Sequence, residues 1–309
     1  REPIGSMGND APLAALSEQS PLLFSYFKQL FAQVSNPPID AIREELVTAS
    51  ETYIGSEQNL FDESPAHCRQ LRLPRPILTN HELAQSQEID RPGLRARTLS
   101  IVFDRNAASG AMETALDELL QQAAAAIDEG CTLLVLSDRG VDADHVPIPS
   151  LLAVSAVHHH LIRQGSRTRV GIVLESAEPR EVHHFAVLLG YGAGAINPYL
   201  ALETVEELSG EGFLDGVGAE ASKASYIKAT EKGVVKAMSK MGISTFQSYR
   251  GAQIFEAIGL SNDLVDRHFT WTPSRLSGVG LGVLEQEARR RHEAGFPDRH
   301  IAGSQTLSV

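Results

Sequence analysis

The positions in this chain best placed to do chemistry are polar residues that follow short apolar runs. Asp104 and Arg105 follow LSIVF; Ser137, Asp138, Arg139 and Gly140 follow TLLVL; Glu175 and Ser176 follow RVGIVL. Asn197 and Pro198 come after a shorter run, and Gln247 to Arg250 after ISTF. In parallel α/β folds such strand ends form the rim at which ligands bind. Asp138, Arg139, Glu175, Asn197 and Arg250 would together suit a phosphate or a dicarboxylate, because guanidinium groups bind both through paired hydrogen bonds. The competing expectation is structural: the short polar side chains cap the next helix and each arginine pairs with a neighbouring acid.

Other clusters point less clearly to chemistry. Five of the eleven histidines stand in two consecutive groups, His158, His159, His160 and His183, His184. Neighbouring helix positions point about 100° apart, so at most one imidazole per group can face a common point, and no HExxH spacing is present. Solvated or helix-pairing histidines are expected, not a metal site. The run SGVGLG carries Gly278, Gly280 and Gly282 ahead of a helix, where backbone N–H groups can receive a phosphate. Its third glycine arrives two residues after the second, not three, so it departs from GxGxxG and reads as a flexible helix entry. Lys236 and Lys240 are i,i+4 neighbours near the end of a long helix that starts near Ala219, where cations complement the macrodipole. Cys68 and Cys131 are too few for a disulfide framework, a four-thiolate cluster or a closed zinc site, and are expected to be reduced. Neither a Walker A loop nor a GxSxG elbow occurs.

The elements that must position these residues change style near Arg97. Before it, residues 21–34 (PLLFSYFKQLFAQV) place Leu23, Phe27, Leu30, Phe31 and Val34 at helical spacing, Pro37 and Pro38 precede a short helix at 39–47, and 59–76 reads as an irregular connector. Thr79 or Asn80 caps another short helix. After Arg97, strands are expected at 99–103, 132–136, 169–174, 194–196 and 243–246, with helices at 110–129, 150–163 and 179–189. Continuous apolar strands between helices mark a parallel sheet buried on both faces. Helices are expected again at 252–258, 262–269 and 283–294. Five strands fall short of an eight-stranded barrel, so the sheet is either open or an incomplete barrel.

Composition excludes several classes. The 309 residues are 42% hydrophobic and 21% charged, as in an ordinary globular protein, and carry a formal charge of −12. Such an acidic chain has no cation surplus for nonspecific nucleic-acid binding or for docking on anionic membranes. No apolar run reaches the roughly 18 residues of a membrane span, and the first ten residues show no signal-peptide core.

Five segments carry a family resemblance: GSMGNDAPLAAL, FKQLFAQVSNPPIDAIREELV, RLPRPILTNHEL, GAINPYLALET and KAMSKMGISTFQSYRGAQIFEAIGL. They closely resemble the central domain of the glutamate synthase large subunit, from about residue 2 to about residue 296. The resemblance implies an α/β fold, an incomplete or rudimentary TIM-like parallel β/α barrel with helical N- and C-terminal extensions. It divides the chain into a proline-punctuated helical part (1–96), a β/α core (97–260) and a C-terminal helical segment (261–309). It further implies a cytoplasmic parent enzyme that makes two L-glutamates from L-glutamine and 2-oxoglutarate with FMN and a 3Fe–4S cluster. This chain would hold neither cofactor and would be inactive alone. Its partners would be the amidotransferase and FMN-binding domains of the same polypeptide. Separated from them, it would expose apolar surface and self-associate. The family's Cys nucleophile and flavin residues have no counterpart here, so the expected roles are interface and ammonia-path wall, with Ser6, Met7, Thr79 and Asn80 as candidates. The alternative is a free-standing α/β domain that binds FMN or a dicarboxylate at Asp138, Arg139, Glu175, Asn197 and Arg250.

Overall fold

The computed structural model describes residues 13–30, 39, 42–214 and 216–297. Two 3-10 turns, Ala14–Leu16 and Leu23–Tyr26, lead into β1 (Phe27–Gln29). There follow α1 (Glu44–Val47), β2 (Thr52–Gly55), β3 (Gln70–Leu73), α2 (Asn80–Gln87), β4 (Asp90–Arg91), β5 (Leu94–Ser100) and β6 (Val102–Asp104). The central run is α3 (Ala111–Asp128), β7 (Leu133–Ser137), β8 (His145–Pro147), α4 (Ser150–Arg163), β9 (Gly171–Glu175), α5 (Val182–Gly190) and β10 (Ala195–Asn197). The chain continues through α6 (Tyr199–Gly210), α7 (Ala219–Lys240), α8 (Phe246–Tyr249), β11 (Phe255–Leu260), α9 (Asn262–His268), β12 (Ser274–Val279) and α10 (Leu281–Gly295). No helix among the described residues is long and apolar enough to cross a membrane.

Strands β5, β7, β9 and β10 form a parallel sheet in the same order in space as in sequence, with β4 antiparallel on the β5 edge. Side chains alternate across the sheet with period two. Leu134, Leu136, Ile172, Leu174 and Ile196 join the main core formed with α3, α4 and α5. Leu133, Val135, Val173 and Ala195 point the other way, into a smaller core with Ile54, Leu73, Leu78 and Leu83 from the β2–β3 hairpin and the α2 region. The sheet is open, and the free edge of β10 is covered by one parallel bridge, Ile77 to Ile196.

The helix and strand expectations for the central run match the observed elements within three residues at every boundary, apart from the first strand. Val102–Asp104 leaves the sheet there as β6 and pairs with β8. The flanks differ. The helix expected over 21–34 is a 3-10 turn followed by β1, which pairs with β11; residues 31–34 lie outside those described. A helix was also the expectation at 252–258, yet Gln253 takes a left-handed backbone (φ 56°) and β11 follows, flanked by β1 and β12. Short apolar runs fit both periods, and tertiary pairing decides between them. The strand expected at 243–246 is instead a helix start: Thr245 accepts a hydrogen bond from Ser248 N–H and caps α8, leaving only a bridge from Thr245 to Ala49. The expected helical N-terminal part (1–96) therefore contains strands β1 to β4, and the expected C-terminal helical segment (261–309) contains strand β12.

Strand β12 was missed because it is polar and largely exposed, and it explains the glycine run. A Cβ on Gly278 would sit 2.3 Å from the Gly259 carbonyl oxygen, so glycine is what lets β12 lie against β11. Gly282, inside α10, faces open space. Gly278→Ala is therefore expected to cost about 1–3 kcal/mol by overpacking, whereas Gly282→Ala should stay within about 1 kcal/mol of the parent chain. Urea unfolding checks this; equal, large losses at both glycines would point back to a loop that works as a unit.

Candidate functional site

The C-terminal ends of β7, β9 and β10 do converge, and their polar side chains bind one another. Glu175, 7% exposed, ends β9. It accepts hydrogen bonds from Ser137 Oγ (2.6 Å), Gln87 Nε2 (3.4 Å) and Arg139 Nε (2.9 Å). A second nitrogen of Arg139, Nη1, donates to Glu203 (3.0 Å), and its guanidinium lies over the Tyr199 ring, 3.7 Å from the centroid. Arg139 thus already has two carboxylates and an aromatic face.

Asp138 is 1% exposed and closes the neighbouring loop. It accepts from Ser176 Oγ (2.6 Å) and from Ala177 N–H (3.2 and 3.0 Å). Burial raises its carboxyl to about 6, against the opposing hydrogen bonds of Ser176, Tyr199 and Ala177. Glu178, the residue after Ala177, caps α4 by accepting from Ser150 N–H and Oγ. Asn197 is fully buried; its amide nitrogen donates to Leu78 O and Asn80 Oδ1 (both 3.0 Å), and its Oδ1 has no partner.

Asn197 joins the rim to a second feature. Thr79 and Asn80 line a cleft of about 730 Å³ between the start of α2 and the pair α6 and α7, with Arg75, Glu206, Lys223 and Lys228. Thr79 forms a capping box with Glu82, whose carboxylate also holds Arg75 at 3.0 Å. Ser6 and Met7 lie outside the described residues.

Arg250 does not belong to this rim. It follows α8 and shares a recess with Glu57, His158, Arg167 and Thr168, at the end of the sheet where β9 begins. The sequence placed it on the rim because a fifth strand was expected before it. Three rim partners were not foreseen at all: Gln87, Tyr199 and Glu203. Tyr199 and Glu203 open a helix directly after Asn197, and the NPYLALET segment carried that signal.

The remaining clusters are structural. Burial lowers His158 to about 2 and His184 to about 3, so both are neutral. His184 stacks on Phe24, and the His183 ring meets Phe24 O at 3.1 Å. No metal-competent group of His, Cys, Asp and Glu occurs among the described residues. Lys236 and Ser239 both bind Glu44 and fasten α1 to α7. Cys68 is exposed and Cys131 buried, and both are free thiols, so they do not fit an iron–sulfur ligand set.

These features define an α/β domain with a self-bound rim and a separate polar cleft. The chain belongs to the glutamate synthase central domain family, whose profile matches residues 1–261. It is 51% identical over 298 residues to the NADPH glutamate synthase large chain of Bacillus subtilis, covering 96% of this chain and 19% of that one. It is 45% identical to the NADH glutamate synthase of Saccharomyces cerevisiae, covering 97% and 14%. The chain thus spans less than a fifth of the length of these two relatives. A solved flavocytochrome b2 bound to benzoylformate aligns over 62% of this chain and 39% of that chain, at 13% identity and a TM-score of 0.36, too slight a likeness to bear on fold or ligand.

The raised carboxyl of Asp138 gives a pH signature. The folded chain takes up this proton before the unfolded chain does, so Asp138 adds stability as pH falls from about 6 to about 4 and loses it as pH rises again. The buried neutral histidines act in the opposite sense, so the signature is a difference between two proteins. Asp138→Asn should gain stability relative to the parent chain as pH rises from 4 to 7, by on the order of 2 kcal/mol. Urea midpoints across that range measure it; parallel curves would remove the assignment.

Proposed function

We propose that this chain is the non-catalytic central domain of a glutamate synthase large chain, joining a glutamine amidotransferase domain to an FMN-binding synthase domain. The parent would make two L-glutamates from L-glutamine and 2-oxoglutarate, using FMN and a 3Fe–4S cluster held elsewhere in the polypeptide. The observation that carries this reading is the self-bound rim: Arg139, the cation a flavin phosphate or dicarboxylate would need, is bound to Glu175 and Glu203 and stacked on Tyr199. We read the sheet as an arc of a rudimentary β/α barrel. Its sequential strand order and its helices on one face support this, and the β2–β3 hairpin fills the side that strands would enclose in a full barrel.

The cleft supports a share in walling an ammonia path. Thr79 and Asn80 line it, and Asn197, bonded to Asn80, has a buried carbonyl oxygen with no partner. Neutral ammonia needs acceptors for its N–H groups and little net charge, because protonation would stop it acting as a nucleophile. Ser6 and Met7 join this proposal on the family resemblance alone.

Titration calorimetry of the chain with FMN, with and without 2-oxoglutarate, tests the scaffold role. No saturable binding up to high micromolar ligand is expected. Saturable binding lost in Arg139→Ala would replace the scaffold reading with a working rim. In a full-length large chain, Asn80→Leu should lower glutamate formed per glutamine hydrolysed, and unchanged coupling would remove Asn80 from the path.

A further inference from the structure

The recess around Arg250 gathers two positive charges against a single carboxylate, Glu57. Arg167 is fixed there by three neutral acceptors: His158 Nδ1 (2.8 Å), Val170 O (2.7 Å) and Gly192 O (3.0 Å). Because its Nδ1 accepts, His158 must carry its proton on Nε2 and stay uncharged. Gly192 makes this possible: at φ 118°, a Cβ there would lie 2.5 Å from His158 Nδ1. The guanidinium of Arg167 is thus locked in place by dipoles, with its charge intact.

Arg250 stands beside it. Among the described residues its guanidinium has no hydrogen-bond or ion-pair partner, yet it is half-buried and faces the same recess of about 170 Å³. Burial, and after it the field of Arg250, holds Arg167 down to about 10 against the opposing pull of Glu57. The carboxylate facing the recess is that of Glu57, an exposed residue tied to Thr168 only through its backbone N–H. Thr168 and Gln247 add neutral hydrogen-bonding side chains to the wall. Two adjacent guanidinium groups, one fixed and one with open donors, cost the fold electrostatic energy that an anion would offset. The volume matches about six waters, enough for one tetrahedral oxyanion or a short carboxylate.

The geometry points to an oxyanion site at the strand-start end of the sheet, in which Arg250 binds a phosphate or carboxylate group, Arg167 supplies fixed charge, and Glu57 opposes entry at the mouth. This site is separate from the rim and from the cleft.

Thermal unfolding of the 309-residue chain in sodium phosphate, in sodium succinate and in sodium chloride at equal ionic strength tests it. Phosphate or succinate should raise the Tm saturably above chloride, and the one that does so tells the phosphate class from the carboxylate class. Arg250→Gln should abolish the excess. Glu57→Gln should tighten binding several-fold. Arg250→Lys, which keeps the charge but not the planar fork, should bind more weakly yet saturably, and it stands in if the Gln variant does not fold. A response to both oxyanions no larger than that to chloride, or one retained in a folded Arg250→Gln variant, overturns the proposal.

Discussion

Burial of a parallel sheet on both faces is the constraint on which the rest of this structure depends. Strands β7, β9 and β10 are buried along their whole length. A polar side chain in mid-strand would therefore need a partner inside one of two apolar cores. Chemistry is left to the strand ends. The second face is covered by the β2–β3 hairpin together with Leu78 and Leu83 of the α2 region, and contact is close enough that Gly171, at the start of β9, has no room for a Cβ beside Ile54. The hairpin is thus part of the core and cannot be displaced without exposing Val135 and Val173.

The strand ends inherit this constraint as a problem of polar satisfaction. Glu175 and Asp138 are buried carboxylates, and each is held by several donors. Their donors come from different segments: Gln87 from α2, Ser137 and Arg139 from the end of β7, Ser176 and Ala177 from the end of β9. The rim therefore fastens the loops between strands to one another. Arg139 reaches solvent, so its ion pairs add little net stability, whereas stripping the donors from a buried carboxylate leaves it unsatisfied and costs about 1–3 kcal/mol. Such a network fixes the arrangement of its loops more than it strengthens the fold.

The sequence revealed the parts governed by local signals. Helices at 150–163 and 262–269, the capping role of Thr79, and three of the strand ends were legible because apolar periodicity and capping residues agree there. Asp138, Arg139 and Glu175 were identified as a group on strand position alone, and they meet. Legibility failed where pairing over long distance overrides local pattern. Phe27 belongs to a strand because Ala257, some 230 residues away, is its partner. Strand β12 has no apolar pattern because most of its side chains face solvent. Arg250 was misplaced through that kind of error one step removed: a Thr that caps a helix was read as part of a strand. The glycine run had the right composition for a loop, but its spacing follows from the backbone contact between β11 and β12.

The two ends of the sheet differ in charge balance, and this bears on where a ligand could act. At the strand-finish end, where parallel α/β enzymes carry their chemistry, Arg139 faces Glu175 and Glu203, so positive charge is more than matched. At the strand-start end, Arg167 and Arg250 face neutral dipoles and one exposed acid. Over the whole chain the net charge is −12, so this small positive recess sits in a negative field. An anion approaching from solvent is repelled at long range and attracted only within about a Debye length, roughly 8 Å at physiological salt. Such a profile slows the capture of freely diffusing anions and favours one delivered at short range. Electrostatics thus separates an end that the fold has closed on itself from an end where charge is still unmatched.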